Sequence, residues 1–408
     1  MTCRHCGAPL GLTLVDLGSA PPSNALLTAA DLSLPEPHYP LHVLVCERCW
    51  LVQTADFAQA DELFDADYAY FSGYSRTWLE HAEQFVSAMV TRLALDSKSH
   101  VVEVAANDGY LLQYVMARGI PCLGIEPTAS TAAAARAKGI PILEAFFGSR
   151  LGHDLASQRR ADLIVANNVL AHVPDINDFA AGFAALLQPQ GVATFEFAHV
   201  MRLIDGLQFD TIYHEHFSYL SLTAVSRVFS ENGLTVFDVE ELPTHGGSLR
   251  VFAERADTSR RPRERQVDEM LHRESAAGLD GRAYYSGFQV KVEAVRDEFV
   301  AFLNDARARG KSVAGYGAAA KGNTLMNFAG VDSKMVQFVS DANPAKQGMY
   351  LPGSHIPVVG EARLRDDQPD FVLILPWNLR TEVMHEIGYI ENWGGTFVTA
   401  VPHLEIQR

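Results

Sequence analysis

The sequence predicts an α/β protein in three parts: an N-terminal metal-binding module, a central Rossmann-like domain and a second Rossmann-like α/β domain at the C-terminus. Three observations carry this. Two Cys-x-x-Cys pairs stand within the first fifty residues, strand and helix patterns alternate from 99 to 256, and a second strand–turn–helix begins at Lys311. With 408 residues, 48% of them hydrophobic, there is material for two or three cores. A formal charge of −16 argues against a nucleic-acid partner. No run of about 20 apolar residues points to a membrane partner, so a cytoplasmic protein is expected. A monomer is compatible with a self-contained domain set.

Residues 1–60 form the first predicted module. Cys3-Arg4-His5-Cys6 and Cys46-Glu47-Arg48-Cys49, separated by 39 residues, can place four thiolates around one zinc. Four sulfurs leave no position for water, so the zinc is read as structural; the competing reading is a redox dithiol. His5 and Cys122 are read as ordinary residues. Residues 20–25 and 35–40 are Pro-rich and read as irregular loop. Residues 61–98 are a helical linker, with Tyr68, Tyr70 and Tyr74 clustered before an amphipathic helix over 78–95. Such a cluster serves packing more often than a site, yet tyrosine also suits a pocket wall.

The central domain, 99–256, opens with a buried strand over 101–105, a polar turn at Asn107-Asp108-Gly109 and a helix reaching Arg118. A second strand over 121–125 ends in Glu126. In an open α/β sheet the ligand lies beyond the carboxyl ends of the strands, and an acid ending the second strand can accept from ribose hydroxyls. The three-glycine pyrophosphate fingerprint is missing. Glu103, Asn107 and Asp108 supply acceptors that suit an ammonium group and repel phosphate. S-adenosylmethionine combines a ribose and an ammonium without phosphate. A third strand ends at Asn167 and Asn168, and His172 follows. Strands over 236–240 and 248–253 would close the sheet as a hairpin, the feature separating a methyltransferase sheet from a dinucleotide fold.

Thr211 to Tyr219 holds two histidines, a carboxylate and two tyrosines. The spacing does not match His-Glu-x-x-His. His214 and His216 could share a strand face, but no third ligand is evident, and acid–base chemistry is preferred to metal binding. The competing reading is a polar loop with satisfied histidines. His245-Gly246-Gly247-Ser248 is a further turn whose free amides could meet substrate or phosphate. Residues 257–310 read as a helical connector, and 311–408 as the second α/β unit, with Gly315-x-Gly317 after a strand and Asp341 ending the next. That hints at dinucleotide binding, but the third glycine is absent.

Taken together, the cysteine pairs, Glu103–Gly109, Leu170-Ala171-His172-Val173-Pro174, Tyr213-His214-Glu215-His216-Phe217, His245-Gly246-Gly247 and Gly315-Tyr316-Gly317-Ala318-x-Ala320-Lys321 resemble the zinc-containing sugar C-methyltransferases. The resemblance runs from Cys3 to about Pro402. It implies a central class I methyltransferase domain with S-adenosylmethionine as cofactor, and a nucleotide-linked keto-deoxysugar as substrate. By it, His216 is the base, assisted by Glu215, Tyr213, His172 and Tyr68; Glu215 is expected to hold the His216 ring. Glu103, Asn107, Asp108, Gly109, Glu126, Asn167 and Asn168 are the expected cofactor contacts. The substrate would meet Tyr70, His245, Gly246 and Gly247, and the C-terminal domain would clamp its nucleotide and pyrophosphate. Gly317, Lys321, Asn323, Lys346 and Trp377 are the candidates there by chemistry. The sequence departs from the family pattern at Ala105-Ala106, where a glycine and a small residue are common. A dTDP-linked sugar methylated at C3 is the leading substrate, with a GDP-linked sugar as the close alternative. A nicotinamide-dependent sugar dehydrogenase and an inactive zinc-ribbon scaffold are the other readings.

Overall fold

The structure, a computed structural model, describes residues 1–55 and 71–407. Tyr68, Tyr70 and the predicted division at residue 60 lie outside the described residues. Among those described, no helix is long and apolar enough to cross a membrane.

The N-terminal strands Leu12–Ala20, Tyr39–Val45 and Val52–Thr54 form an antiparallel sheet. Its fourth member is Ser218–Tyr219, a short strand from the central domain that begins two residues after His216. The helix Arg76–Leu93 begins where Ser75 Oγ accepts the Trp78 amide and ends at Ala94 in the left-handed region. Its buried residues, Ala82, Phe85, Val86 and Met89, recur every three or four positions, so one stripe faces the central sheet.

The central sheet has seven strands. Val101–Val104 is the central one of five parallel strands, with Cys122–Ile125 and Ile142–Leu143 on one side and Ala161–Asn167 and Leu187–Ala198 on the other. Both faces are covered, which is why these strands read as unbroken apolar runs. The predicted closing hairpin is present as Leu234–Leu242 and Ser248–Arg255. Ser248–Arg255 inserts antiparallel beside Leu187–Ala198, so the last strand in sequence is not the edge strand. The helix after the first strand is shorter than expected, Leu112–Met116, because the chain first makes a turn at Gly109.

The C-terminal sheet also centres on its first strand, Val313–Tyr316. Val339–Ser340 and Val358–Val359 lie to one side, Phe371–Ile374 and Thr396–Thr399 to the other, and Glu405–Gln407 closes it antiparallel. In chain order this is 3-2-1-4-5-6, the doubly wound arrangement. The connector is the helices Arg265–Ala277, Arg282–Tyr285 and Phe288–Ala308.

Cores cross the predicted divisions. Val15, Val43 and Val52 of the first sheet pack in one cluster with Val292 and Phe299 of the connector and Met326 and Val339 of the C-terminal unit. Cys3, Cys46, Cys49 and Leu51 belong to the core beneath one face of the central sheet. The zinc-binding module thus shares buried clusters with both α/β units.

Candidate active site

The four cysteines of the paired motifs converge. Their sulfurs all lie within 4.8 Å of one another, with Cys3 and Cys49 3.5 Å apart and Cys6 and Cys46 3.5 Å apart. A tetrahedron with Zn–S bonds of about 2.3 Å has edges of about 3.8 Å, so the set fits zinc. Gln53 Nε2 donates to Cys3 Sγ at 3.2 Å, and its Oε1 accepts the Arg4 amide at 2.9 Å, which fixes the first turn from outside. His5 bonds Asn177 at 2.8 Å, and Cys122 sits in a strand of the central sheet, so both are ordinary residues.

At the carboxyl end of the central sheet, Glu126 clasps the first turn. Its Oε2 accepts the Asn107 amide at 2.8 Å and its Oε1 the Thr128 amide at 3.0 Å. Ala105, Asn107 and Gly109 all have positive φ, which bends the chain tightly after the strand. Gly109 leaves no room for a side chain, since a Cβ there would stand 2.3 Å from Ile140. Ser72 donates its amide to Asn107 Oδ1 at 2.9 Å, and Gly73 lies against Asp108, so the chain leaving the tyrosine cluster closes over this turn. Burial, and the carboxylates of Asp108 and Glu126, push the Glu103 carboxyl well above its usual range, with Tyr110 acting against them. Three buried acids in one pocket favour a cation. Lys138 already answers one of them, at 3.0 Å from Asp108 Oδ2. Asn167 is buried with neither amide atom hydrogen-bonded among the described residues, and Asn168 Nδ2 donates to His245 Nε2 at 3.2 Å. These residues fit a ribose and an amino-acid ammonium.

Beside this pocket stand three histidines. His216 Nδ1 lies 2.9 Å from the Thr211 carbonyl, to which it can only donate, so Nε2 carries the lone pair. Nε2 in turn accepts the Tyr213 hydroxyl at 2.7 Å. Burial and the neighbouring His172, His245 and Lys321 hold His216 well below the ordinary imidazole range, although the Thr211 bond opposes this. His172 lies with its ring 4.6 Å from that of His216, and burial pulls it down to about 4. His245, packed beside Trp78, is also pulled down to about 4, by burial first and then by Lys321.

Two expectations change here. Glu215 does not hold the His216 ring; the Thr211 carbonyl does. Residues 213–216 make a turn closed by the His216 amide on the Tyr213 carbonyl, so adjacent side chains part. Glu215 faces Asn24 of the N-terminal module, accepting Nδ2 at 3.0 Å, while its Oε2 is buried without a partner among the described residues. For the same reason His214 and His216 share no strand face; His214 bonds the Tyr39 carbonyl at 3.1 Å.

The C-terminal candidates divide. Trp377 and Lys321 reach the histidine side: Trp377 Nε1 donates to Asp210 Oδ2 at 2.7 Å, and Lys321 Nζ lies 4.8 Å over the Trp377 ring. Gly246 approaches the same ring so closely that a Cβ would stand 2.6 Å from it. Gly246, Gly247 and Trp377 line a cleft of about 730 Å³ between the two α/β units, with Arg202, Arg380 and His403. Lys346 instead bonds the Ala318 carbonyl at 2.8 Å, and Gly317 packs on Pro376. Asn323 is buried with neither amide atom hydrogen-bonded among the described residues.

Several residues escaped the sequence reading: Asp210, Asn24, Asn378 and a buried network below His245. In that network Glu196 accepts from His81 at 2.8 Å, Arg250 at 2.7 Å and Thr244 at 3.0 Å. Asp210 stands one residue before the Thr211–Tyr219 cluster, and Asn24 lies in the Pro21-Pro22-Ser23-Asn24 segment, whose composition signals only a loop. Proximity in sequence was the available signal for the first.

Comparisons with known proteins bear on the family. Residues 3–64 match a putative zinc binding domain family, 78–239 a methyltransferase domain family, and 243–402 the C-methyltransferase C-terminal domain family. C-methyltransferase NovU of Streptomyces niveus is 35% identical over 404 residues, covering 98% of this chain and 95% of that protein. Among solved structures, magnesium protoporphyrin IX methyltransferase of Synechocystis PCC 6803 with bound SAH aligns at 15% identity over 44% of this chain and 83% of that one, with a TM-score of 0.35. The PH0226 protein of Pyrococcus horikoshii OT3 aligns at 12% identity over 49% and 100%, with a TM-score of 0.37. Family membership sets aside the dehydrogenase and scaffold readings: the chain belongs to the zinc-containing, S-adenosylmethionine-dependent C-methyltransferases.

Proposed function

We propose that the protein methylates the carbon next to the ketone, C3, of a dTDP-linked 4-keto-deoxysugar, with His216 as the base. The observation that carries this is the state of His216: Nδ1 is tied to a backbone carbonyl, and Nε2 is a neutral, buried lone pair. A ketone acidifies the adjacent C–H, and a base that is unprotonated at neutral pH can take that proton. Tyr213 keeps Nε2 hydrogen-bonded until the substrate carbon displaces its hydroxyl. The electron pair left on carbon delocalises onto the carbonyl oxygen, and the proton on Nε2 later passes to solvent.

S-adenosylmethionine, when bound, supplies an electrophilic methyl group on sulfonium. Glu103, Asp108, Asn107 and Gly109 would receive its amino-acid end, Asn167 and Asn168 would border it, and Glu126 would take the ribose on the lone pairs its backbone clasp leaves over. Holding donor and acceptor carbons in one pocket removes most of the entropy of their encounter. The inter-unit cleft, next to His245-Gly246-Gly247 and Trp377, supports placing the nucleotide end there. A GDP-linked sugar is the alternative.

His216→Asn should abolish methyl transfer while S-adenosylhomocysteine binds within about twofold of wild type; wild-type turnover by that variant would remove His216 from the role of base. Calorimetric titration of S-adenosylhomocysteine with dTDP or GDP present tests the substrate, and tighter ternary binding with GDP would move the assignment to GDP-sugars.

A further inference from the structure

An oxyanion forms in this chemistry, and a hydrogen-bond donor or cation held beside His216 would stabilise it. Tyr213 has its hydroxyl on His216 Nε2. Burial keeps His172 and His245 uncharged, each near 4. The cation in this neighbourhood comes from the other α/β unit. Lys321 stands in the first turn of the helix Ala320–Ala329, which is pinned to the catalytic segment by Thr324 Oγ1 on the Ile212 carbonyl at 2.9 Å. Its ammonium donates to Asn378 Oδ1 at 2.7 Å and rests 4.8 Å over Trp377. Among the described residues no carboxylate is within ion-pair reach of it; burial lowers its pKa, and the charge of Asp210 opposes that and favours the ammonium. Asp210 holds Trp377 in place by the 2.7 Å bond to its indole nitrogen, and the turn carrying His245 closes on the same ring. The Thr324–Ile212 bond and the closure of Gly246 on Trp377 bring this helix and ring up to the histidine segment, and Lys321's charge helps hold His216 and His245 low.

We propose that Lys321 is a catalytic residue that stabilises the enolate oxygen across the domain junction, and that Asp210 is a positioning residue acting on it through Trp377. This rests on the keto-sugar reading above. His216 removes the proton from carbon, the C–H electron pair becomes the C=C bond, and the carbonyl π pair becomes an oxygen lone pair facing the Lys321 ammonium. Attack of the enolate carbon on the methyl then restores the ketone, and the S–CH3 pair leaves on sulfur. The C-terminal unit is thereby part of the reaction centre as well as a substrate clamp.

The test uses the full-length zinc protein with dTDP-4-keto-6-deoxyhexose as probe. Washout of the C3 proton into deuterated water, with S-adenosylhomocysteine bound, is read by NMR beside methyl transfer and dTDP affinity. Lys321→Met should lower both washout and methyl transfer by about 10²–10³-fold, the loss typical of one oxyanion donor. Binding of dTDP and S-adenosylhomocysteine should stay within about threefold, and Lys321→Arg should recover part of the rate. Asp210→Asn should lower kcat by about tenfold with KM little changed. If Lys321→Met loses dTDP affinity but exchanges C3 at the wild-type rate when saturated, Lys321 is a phosphate ligand and the proposal is overturned. If the wild-type protein neither exchanges nor methylates the probe or its GDP counterpart, the keto-sugar reading fails first and takes the proposal with it.

Discussion

The two α/β units of this protein carry the same clasp at the same place. In the central unit Glu126, ending the second strand, accepts the Asn107 amide of the first turn and the Thr128 amide two residues on. In the C-terminal unit Asp341 does likewise, with the Ala318 amide at 2.7 Å and the Asn343 amide at 2.8 Å. Each turn also receives a lysine on a backbone carbonyl, Lys138 on Asp108 and Lys346 on Ala318. What differs is what stands above the turn. The central turn is ringed by buried acids and by Asn167, whose amide has no hydrogen-bond partner among the described residues, whereas Pro376 packs down onto Gly317 at the C-terminal one. An acid closing a strand–turn–helix is thus a folding device first. It becomes a ligand site only where the following loops leave the space open, and the C-terminal unit instead turns Lys321 and Trp377 sideways toward Asp210.

Breaking each clasp should separate the two roles. Glu126→Ala should lose at least about 10²-fold in S-adenosylhomocysteine affinity, since hydrogen bonds to a charged group contribute roughly 1.5–3 kcal/mol each. Asp341→Ala should leave that affinity unchanged and lower unfolding stability by about 1–3 kcal/mol through its orphaned amides; equal affinity losses in calorimetry would mean both turns bind cofactor. Acid should strike the central unit first. His172 and His245 are near 4 in the fold against 6.5 for an ordinary imidazole, so between those values the unfolded chain binds protons that the folded one refuses. Their contribution is present above pH 6.5 and is lost as pH falls toward 4, on the order of a few kcal/mol in total. A thermal midpoint that stays flat across that window would contradict it. Catalysis should hold lower still than an ordinary histidine base allows, with the acid limb of kcat/KM below 6.5 because His216 is depressed.

Reciprocal glycine exchanges give the smaller effects. Gly317→Ala meets Pro376 at 2.6 Å with φ at +84° and should cost about 2 kcal/mol in denaturant unfolding. Ala105→Gly, at φ +57° where the family commonly has glycine, should stabilise by about 1 kcal/mol, unless the bound cofactor alone sets that turn.

Much of the site was legible because it is local. The cysteine pairs announce their own turns, Glu126 follows its strand directly, and Tyr213 and His216 stand three residues apart. The closing hairpin was legible too, from two alternating strands with a Gly-Gly turn between them. Less was legible wherever partners are far apart in the chain. Asn24 reaches Glu215 across 191 positions, Trp377 reaches Asp210 across 167, and His81 reaches Glu196 across 115. Neither motif nor periodicity marks such pairs.

By itself the sequence determined the layers, the order of the units, the sulfur set and the acids of the cofactor turn, because spacing and hydrophobic period act over a few residues. Only the tertiary structure decided which way Glu215 faces, that Thr211 holds the base, that the zinc-binding module shares its core with both α/β units, and that a lysine of one unit stands beside the histidines of the other. Those outcomes depend on burial and on contacts between distant segments, which exist only after the sheets have packed.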